Sequence, residues 1–315
     1  MTGSVVTLSG GVGGAKLVLG LSKIIAGGSL IVACNTGDDF DHLGLRVCPD
    51  IDSVIYALSG LSDQVRGWGR KDETWTFMAA LKNLGGPHWF NLGDGDLATH
   101  VLRTDLLRQG VSLSDVTLVQ AKRLGVGATI LPMSDDPVAT IVQTQAGDLT
   151  FQNYFVRDQC GPTVTGFAFD GIDSASPQNR ILEALRSGPE AIVIAPSNPY
   201  VSVDPILQLP GMRDALEAAA APIVAVSPIV GGKALKGPAA KMMKELGKDV
   251  SVLGVALHYQ GLIDGLVIDV QDADLASEIR GLGIEPHITQ TIMTDTESRI
   301  ALAKSTLEFA HEIAR

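Results

Sequence analysis

Apolar residues recur along this chain in three rhythms, and each predicts a different element. Unbroken runs at residues 5–8, 29–34, 191–195 and 222–226 are four to six residues long. That is the length and texture of parallel strands covered on both faces. Residues 266–269 read as a further strand. From about residue 50 to 125 the spacing turns helical: Val54, Ile55, Leu58 and Leu61, then Phe77, Leu81 and Leu84, then Leu97, Val101, Leu102, Leu106 and Leu107. Residues 138–142 and 149–151 predict a hairpin across 145–148. A last helix follows Thr294, which with Glu297 reads as a capping box, and carries Ile300, Leu302, Ala303 and Leu307. The expectation is an α/β fold, a mostly parallel sheet with helices on both faces. Residues 1–49 and 126–315 form its core, and residues 50–125 are a helical insertion packed on it.

Composition narrows the class. The 315 residues are 45% hydrophobic with 35 glycines and only 5% aromatics, as in an α/β enzyme core. A net charge of -11 argues against nucleic acid as a partner, since a phosphate backbone needs a basic face. Three widely spaced cysteines without a CxxC suggest neither disulfides nor zinc and fit a reducing cytoplasm. No apolar run approaches the ~18–20 residues of a membrane span. The start lacks a basic leader and runs directly into a glycine loop, so no cleaved signal and no membrane association are expected.

That loop is the first candidate site. The run at Val5 leads into Ser9-Gly10-Gly11-Val12-Gly13-Gly14-Ala15-Lys16, with an apolar-periodic helix from Leu17. Strand, glycine turn and helix in that order cradle a phosphate on backbone amides and the helix dipole. Lys16 stands where a dinucleotide fold has its third glycine, and no Gly-Lys-Ser/Thr is present, so neither familiar fingerprint applies. After the second strand comes Asn35-Thr36-Gly37-Asp38-Asp39, and then Pro49-Asp50-Ile51-Asp52. Carboxylates crowded at one strand end call for a cation, and an all-oxygen set suits Mg2+. For Asp50 or Asp52 the plainer reading is a helix cap. Asp94 and Asp96 form a second acidic turn, where Asp96 reads as an N-cap and His100 as a packing histidine. Two more strand ends carry polar loops. One is Pro196-Ser197-Asn198-Pro199. The other runs from Ser227 through Gly231, Lys233 and Lys236 to Pro238 in the first turn of a helix.

Taken in order, these motifs, with Gly44-Leu45-Arg46-Val47-Cys48-Pro49-Asp50-Ile51-Asp52 and Gly67-Trp68-Gly69-Arg70-Lys71-Asp72-Glu73-Thr74-Trp75, resemble the 2-phospho-L-lactate transferase family of deazaflavin coenzyme biosynthesis. The resemblance extends from Leu8 to about Thr294. It implies a Rossmann-like core and a transfer reaction. A phospholactyl, phosphoenolpyruvyl or phosphoglyceryl group would move from a guanosine diphosphate donor to the deazaflavin Fo, releasing GMP and giving coenzyme F420-0 or its dehydro form. It further implies Mg2+ and catalysis at Asp38, Asp50 and Asp52. Gly10, Gly11, Gly13, Gly14, Lys16, Ser197, Asn198, Ser227, Gly231 and Lys236 would hold the nucleotide. Trp68, Trp75, Asp94 and Asp96 would line the acceptor. A homodimer is the expected assembly. The family's acidic turn reads Gly-Asp-Arg-Asp, whereas Gly95 replaces the arginine here; Arg70, Lys71 and Arg103 are the nearest substitutes in sequence. Two other readings stay open: a nucleotide-sugar-binding regulatory protein of the same superfamily, and a dinucleotide-dependent oxidoreductase.

Overall fold

The computed structural model describes residues 3–314. Seven parallel strands form the central sheet: β1 (Val5–Ser9), β2 (Leu30–Cys34), β5 (Thr129–Pro132), β9 (Ala191–Ile194), β10 (Ile223–Val226), β13 (Gly265–Asp269) and β14 (Glu285–Thr289). Their order across the sheet is β14-β13-β10-β9-β1-β2-β5. The chain winds outward from β1 in one direction, returns, and winds outward again from β9. This is the doubly wound arrangement of Rossmann-like folds, with its switch point between β1 and β9.

The apolar strands are unbroken because both faces are covered. Val5, Val32, Val193, Val224 and Val267 point into one core with α1 (Gly11–Ile24), α2 (Pro49–Leu58), α5 (Leu113–Arg123) and α12 (Thr296–Ile313). Val6, Leu8, Ile192, Ile194 and Ile268 point into the other. There they meet α6 (Asn179–Arg186), α7 (Asp204–Leu207), α8 (Met212–Glu217), α9 (Ala239–Glu245), α10 (Val252–Tyr259) and α11 (Ala276–Gly281). Burying a leucine or isoleucine completely contributes about 1.5–3 kcal/mol each, so these two layers dominate stability. A second sheet, β7-β6-β8, packs on this latter side. It pairs the predicted hairpin, β6 (Ala139–Thr144) with β7 (Gly147–Thr150), and adds β8 (Val164–Asp170). Short hairpins β3 (Phe40–His42) with β4 (Leu45–Val47) and β11 (Ile229–Val230) with β12 (Lys233–Ala234) decorate the strand ends. Helices α3 (Thr76–Asn83) and α4 (Asp94–Arg108) complete the stretch before α5.

Four local expectations need correction. Helix α1 begins at Gly11 rather than at Leu17, so the glycine loop is itself the first helical turn. The last helix is capped one residue later than expected: Asp295 accepts from the Ser298 amide, and Ser298 closes the box. Gly93, not Asp96, is the N-cap of α4, and Pro238 is the N-cap of α9 rather than part of its first turn. Asp94 opens α4 but caps its neighbour, because its carboxylate accepts from the amides of Thr76 and Phe77 at the start of α3. No helix among the described residues is long and apolar enough to cross a membrane.

Candidate active site

The carboxyl ends of β1 and β2 bring the glycine loop and the Asn35–Asp39 turn together. Asp50, in the first turn of α2, ties them. Its Oδ1 accepts from the Gly11 amide at 2.6 Å, and its Oδ2 from Asn35 Nδ2 at 2.9 Å. Asn35 also donates to the Val201 carbonyl, and its Oδ1 accepts from the Gly37 amide. Asp38 is buried beside this frame, with its main-chain carbonyl held by Gln152 Nε2. Its Oδ1 has no hydrogen-bond partner.

Burial pushes the Asp38 carboxyl well above the usual carboxylate range, and repulsion from Asp50 adds to the shift. Burial also raises Asp50 to about 6, against the bonds from Asn35 and Gly11. Asp39 rises to about 7 for the same reason, opposed by Arg46, whose guanidinium lies 3.6 Å away. Such values are a signature of sites that handle protons or cations.

Asp52 belongs elsewhere. On a helix, residues two apart point about 200° away from each other. Asp52 accordingly faces α4, where Arg103 grips both of its oxygens. Arg103 is fully buried and also donates to the Arg46 carbonyl, Gln120 Oε1 and His100 Nδ1. His100 Nε2 lies 3.2 Å from Asp96, and Asp96 accepts from the Tyr56 hydroxyl at 2.5 Å. Asp52, Arg103, His100, Asp96 and Tyr56 thus form one internal polar chain. Among the described residues no three His, Cys, Asp or Glu side chains are grouped to hold a metal. The structure keeps Asp38 with Asp50 and separates Asp52 from them. A pair of hard carboxylates, one with an unpartnered buried oxygen, still fits Mg2+, which needs only one or two and fills its other positions with water and phosphate.

The predicted nucleotide residues divide into two groups. Ser197 lashes the switch point together: its hydroxyl accepts from the Gly10 amide and donates to the Gly10 carbonyl. A Cβ on Gly13 would fall 2.3 Å from the Pro196 carbonyl oxygen, and one on Gly14 would fall 2.4 Å from Ser9 Oγ. These glycines therefore admit the neighbouring strand end as much as any ligand, whereas Gly11, at φ 65°, faces open space. Asn198 caps the turn that follows it, Ser227 closes a turn onto Ile229, and the Gly231 amide donates to Asp272.

Lys16 and Lys236 form the other group, and Trp68, expected on the acceptor side, lies with them. They line one cleft with Tyr56 and Gln64, against the outer side of α1. Trp75 packs edge-on to Trp68, and Arg66 lies over both rings. The cleft has a further member, Arg299, which sequence reasoning missed. Arg299, Leu302, Ala303, Thr306, Leu307 and Ala310 fall at helical spacing on the buried stripe of α12. An arginine inside an apolar stripe was the available signal. Near Gly95 the chain supplies a cation after all: Arg70 Nη1 donates to the Gly95 carbonyl at 3.0 Å, while Glu73 accepts from its amide. Arg103 is committed to Asp52.

The family model described as 2-phospho-L-lactate transferase CofD matches residues 5–300. The chain belongs to that family. It is 40% identical to the phosphoenolpyruvate transferase of Streptomyces griseus over 315 residues, covering 98% of this chain and 99% of that one. It is also 40% identical to the 2-phospho-L-lactate transferase of Methanosarcina barkeri over 299 residues, 95% of this chain and 96% of that one. Protein BH3568 of Bacillus halodurans, a solved structure, superposes with a TM-score of 0.64 at 18% identity, covering 98% of this chain and all of that one; this likeness shows the shared fold. The chain is accordingly an enzyme of the CofD transferase family.

Proposed function

We propose that this enzyme transfers a phospho-acyl group from a guanosine diphosphate ester to the terminal ribityl hydroxyl of the deazaflavin Fo. The group is phospholactyl, phosphoenolpyruvyl or phosphoglyceryl. The observation that carries this reading is the Asp38–Asp50 pair beside the glycine loop, with Asp38 Oδ1 buried and unpartnered. The similarity to a phosphoenolpyruvate transferase and a 2-phospho-L-lactate transferase supports the two named acids.

In the reaction the acceptor oxygen forms a bond to the phosphorus that bears the acid. The bond from that phosphorus to the bridging oxygen breaks, and GMP leaves with the electron pair. The hydroxyl proton must go to a base. Asp38 suits that task, because its Oδ1 has no hydrogen-bond partner and burial raises its pKa, which makes the carboxylate a stronger base. Asp38 and Asp50 would hold a Mg2+ ion, which supplies charge neutralisation at the phosphoryl oxygens. Asn35 and the Gly11 amide hold Asp50 in place, so the pair is oriented before substrate arrives.

Incubation with Fo, Mg2+ and each guanylated donor tests the reading through GMP release. Stoichiometric GMP and an Fo phosphodiester are the expected products. Affinity for NAD without affinity for GDP, in the same preparation, would overturn the reading in favour of a dinucleotide enzyme.

Gly95 bears on donor choice. A Cβ there would fall 3.1 Å from Glu73 Oε1 and 3.3 Å from Arg70 Cζ. Gly95→Arg therefore shifts Arg70 by a few tenths of an ångström and adds a second cation beside it. One charge-assisted contact is worth about 1.5–3 kcal/mol. The ratio of kcat/KM among lactyl, enolpyruvyl and glyceryl donors should accordingly move by about tenfold. Ratios unchanged within about twofold would mark Gly95 as a neutral turn residue.

A further inference from the structure

The second sheet is not needed to build a doubly wound core, yet it reaches into the site. Along β6 the buried positions alternate, with Thr140, Val142 and Thr144 on the inner face. Val142 packs into the core. Thr140 is 1% exposed, and its hydroxyl has no hydrogen-bond partner. A valine would fill the same space without burying a polar group. The threonine is therefore a cost to the fold unless its hydroxyl meets something in the working enzyme.

What Thr140 faces is the Asn35–Asp39 turn. Its amide donates to the Gly37 carbonyl at 2.7 Å. Gly37 has no room for a side chain, because a Cβ would lie 2.5 Å from Thr140 Oγ1 and 3.1 Å from Asn35 Oδ1. The glycine thus lets β6 close onto the turn. The next residue is Asp38, whose Oδ1 is also buried and unpartnered. A hydroxyl carries a donor and an ionised carboxylate only acceptors, so the two unpartnered groups are complementary. The hydroxyl is near enough to favour the charged form of Asp38.

A second residue acts on Asp38 from the same sheet. Gln152, two residues after β7 ends, is 5% exposed, and its Nε2 donates to the Asp38 carbonyl at 3.1 Å. It stands immediately before a π-helical turn, Asn153–Arg157, a rare shape concentrated at functional sites. The β6–β7 hairpin therefore places one polar residue against the main chain of Asp38 and another beside its carboxylate.

We propose that Thr140 and Gln152 are positioning residues for Asp38: Gln152 fixes its main chain, and the Thr140 hydroxyl directs its carboxylate toward the reacting groups. A carboxylate oxygen has two lone pairs, so one can take the Thr140 donor while the other stays free for a cation or a proton. What Asp38 does in the reaction rests on the transfer reading; its placement by the second sheet rests on the contacts above.

Mg2+ calorimetry, urea denaturation and GMP-release kinetics on Thr140→Val, Thr140→Ser and Gln152→Met test the proposal. Removing a group that orients a ligand residue typically costs about 10–100-fold in metal affinity or activity. Thr140→Val and Gln152→Met should therefore each weaken Mg2+ binding and lower kcat by about tenfold or more. Thr140→Ser keeps the hydroxyl and should restore most of both. Thr140→Val should be at least as stable in urea as the wild type, since it deletes a buried hydroxyl that has no partner. A threonine with only a structural role would give the reverse, lower stability with Mg2+ affinity and kcat intact. Mg2+ affinity and kcat within about twofold of the wild type in both Thr140→Val and Gln152→Met overturn the proposal. A wild type that binds Mg2+ but releases no GMP from any donor overturns the transfer reading instead; weaker Mg2+ binding in both variants, with recovery in Thr140→Ser, then still upholds the positioning.

Discussion

Asp38→Asn lowers turnover by about 100-fold or more, the scale of losing a charge-stabilising group, and leaves the protein at least as stable as the wild type. The two halves of this expectation have one cause. Asp38 and Asp50 are buried carboxylates that repel each other, so neutralising one relieves a strain in the folded state while removing a group the reaction needs. Asp50→Asn shares the loss of activity, although its new amide would face Asn35 Nδ2, donor against donor, and lose part of the stability gain. Chelation with EDTA should abolish turnover in the wild type and change little in the variants. The sign of the pH dependence follows from the raised values. Asp50, raised to about 6, is mostly protonated at pH 5 and must release its proton to bind a cation. Mg2+ affinity, read by calorimetry, should therefore rise from pH 5 to pH 8 and level off above the elevated pKa values, with Asp50 at about 6. Full turnover in EDTA, or normal turnover in both asparagine variants, would refute the metal-centred assignment.

Asp52 should behave in the opposite way. Arg103→Met leaves Asp52 charged and alone in a site where the two side chains are 0% and 7% exposed. Breaking a buried pair by removing one partner costs about 3–5 kcal/mol, and His100 and Gln120 lose a donor as well. Urea denaturation of Arg103→Met and of Asp52→Asn should each show a loss of this order. The double variant Asp52→Leu/Arg103→Met should recover much of it, since two well-packed apolar side chains often replace a buried pair at little cost. A strongly non-additive cycle is the diagnostic. Were Asp52 instead a free ligand to a cation, its neutralisation would spare stability and abolish turnover, the pattern expected of Asp38.

The contrast between Asp50 and Asp52 also shows how far the residues alone could be read. Both carboxylates were visible in Pro49-Asp50-Ile51-Asp52, and so was the helix beginning there. The i, i+2 spacing on that helix was sufficient to send them to opposite sides; the partner waiting for Asp52, an arginine 51 residues away, was not. Arg299 is a parallel case. Its place in the apolar stripe of α12 was legible, but its meeting with Lys16 across 283 positions was not. Ser197 and Asn198 stood in a polar loop after a strand, as ligand residues do, and the fold uses them to close the switch point and to cap a turn.

By itself the sequence determined the alternation of buried strands and amphipathic helices, the glycine turn after β1, the hairpin of the second sheet and the acidic loop after β2. These are local consequences of side-chain periodicity and backbone freedom, which act over a few residues at a time. Strands β5, β8 and β14 escaped that reading. β14 lies at the sheet edge and contains Pro286, so it carries no continuous apolar run; at an edge, pairing with one neighbour and packing on a helix replace the hydrophobic signal. Only the tertiary structure decided which charges would meet. The energy of a buried charge depends on what surrounds it in space, and in this chain those surroundings come from segments far apart: α2 with α4 for Asp52, α1 with α12 for Lys16, and β2 with the first turn of α2 for Asp38 and Asp50.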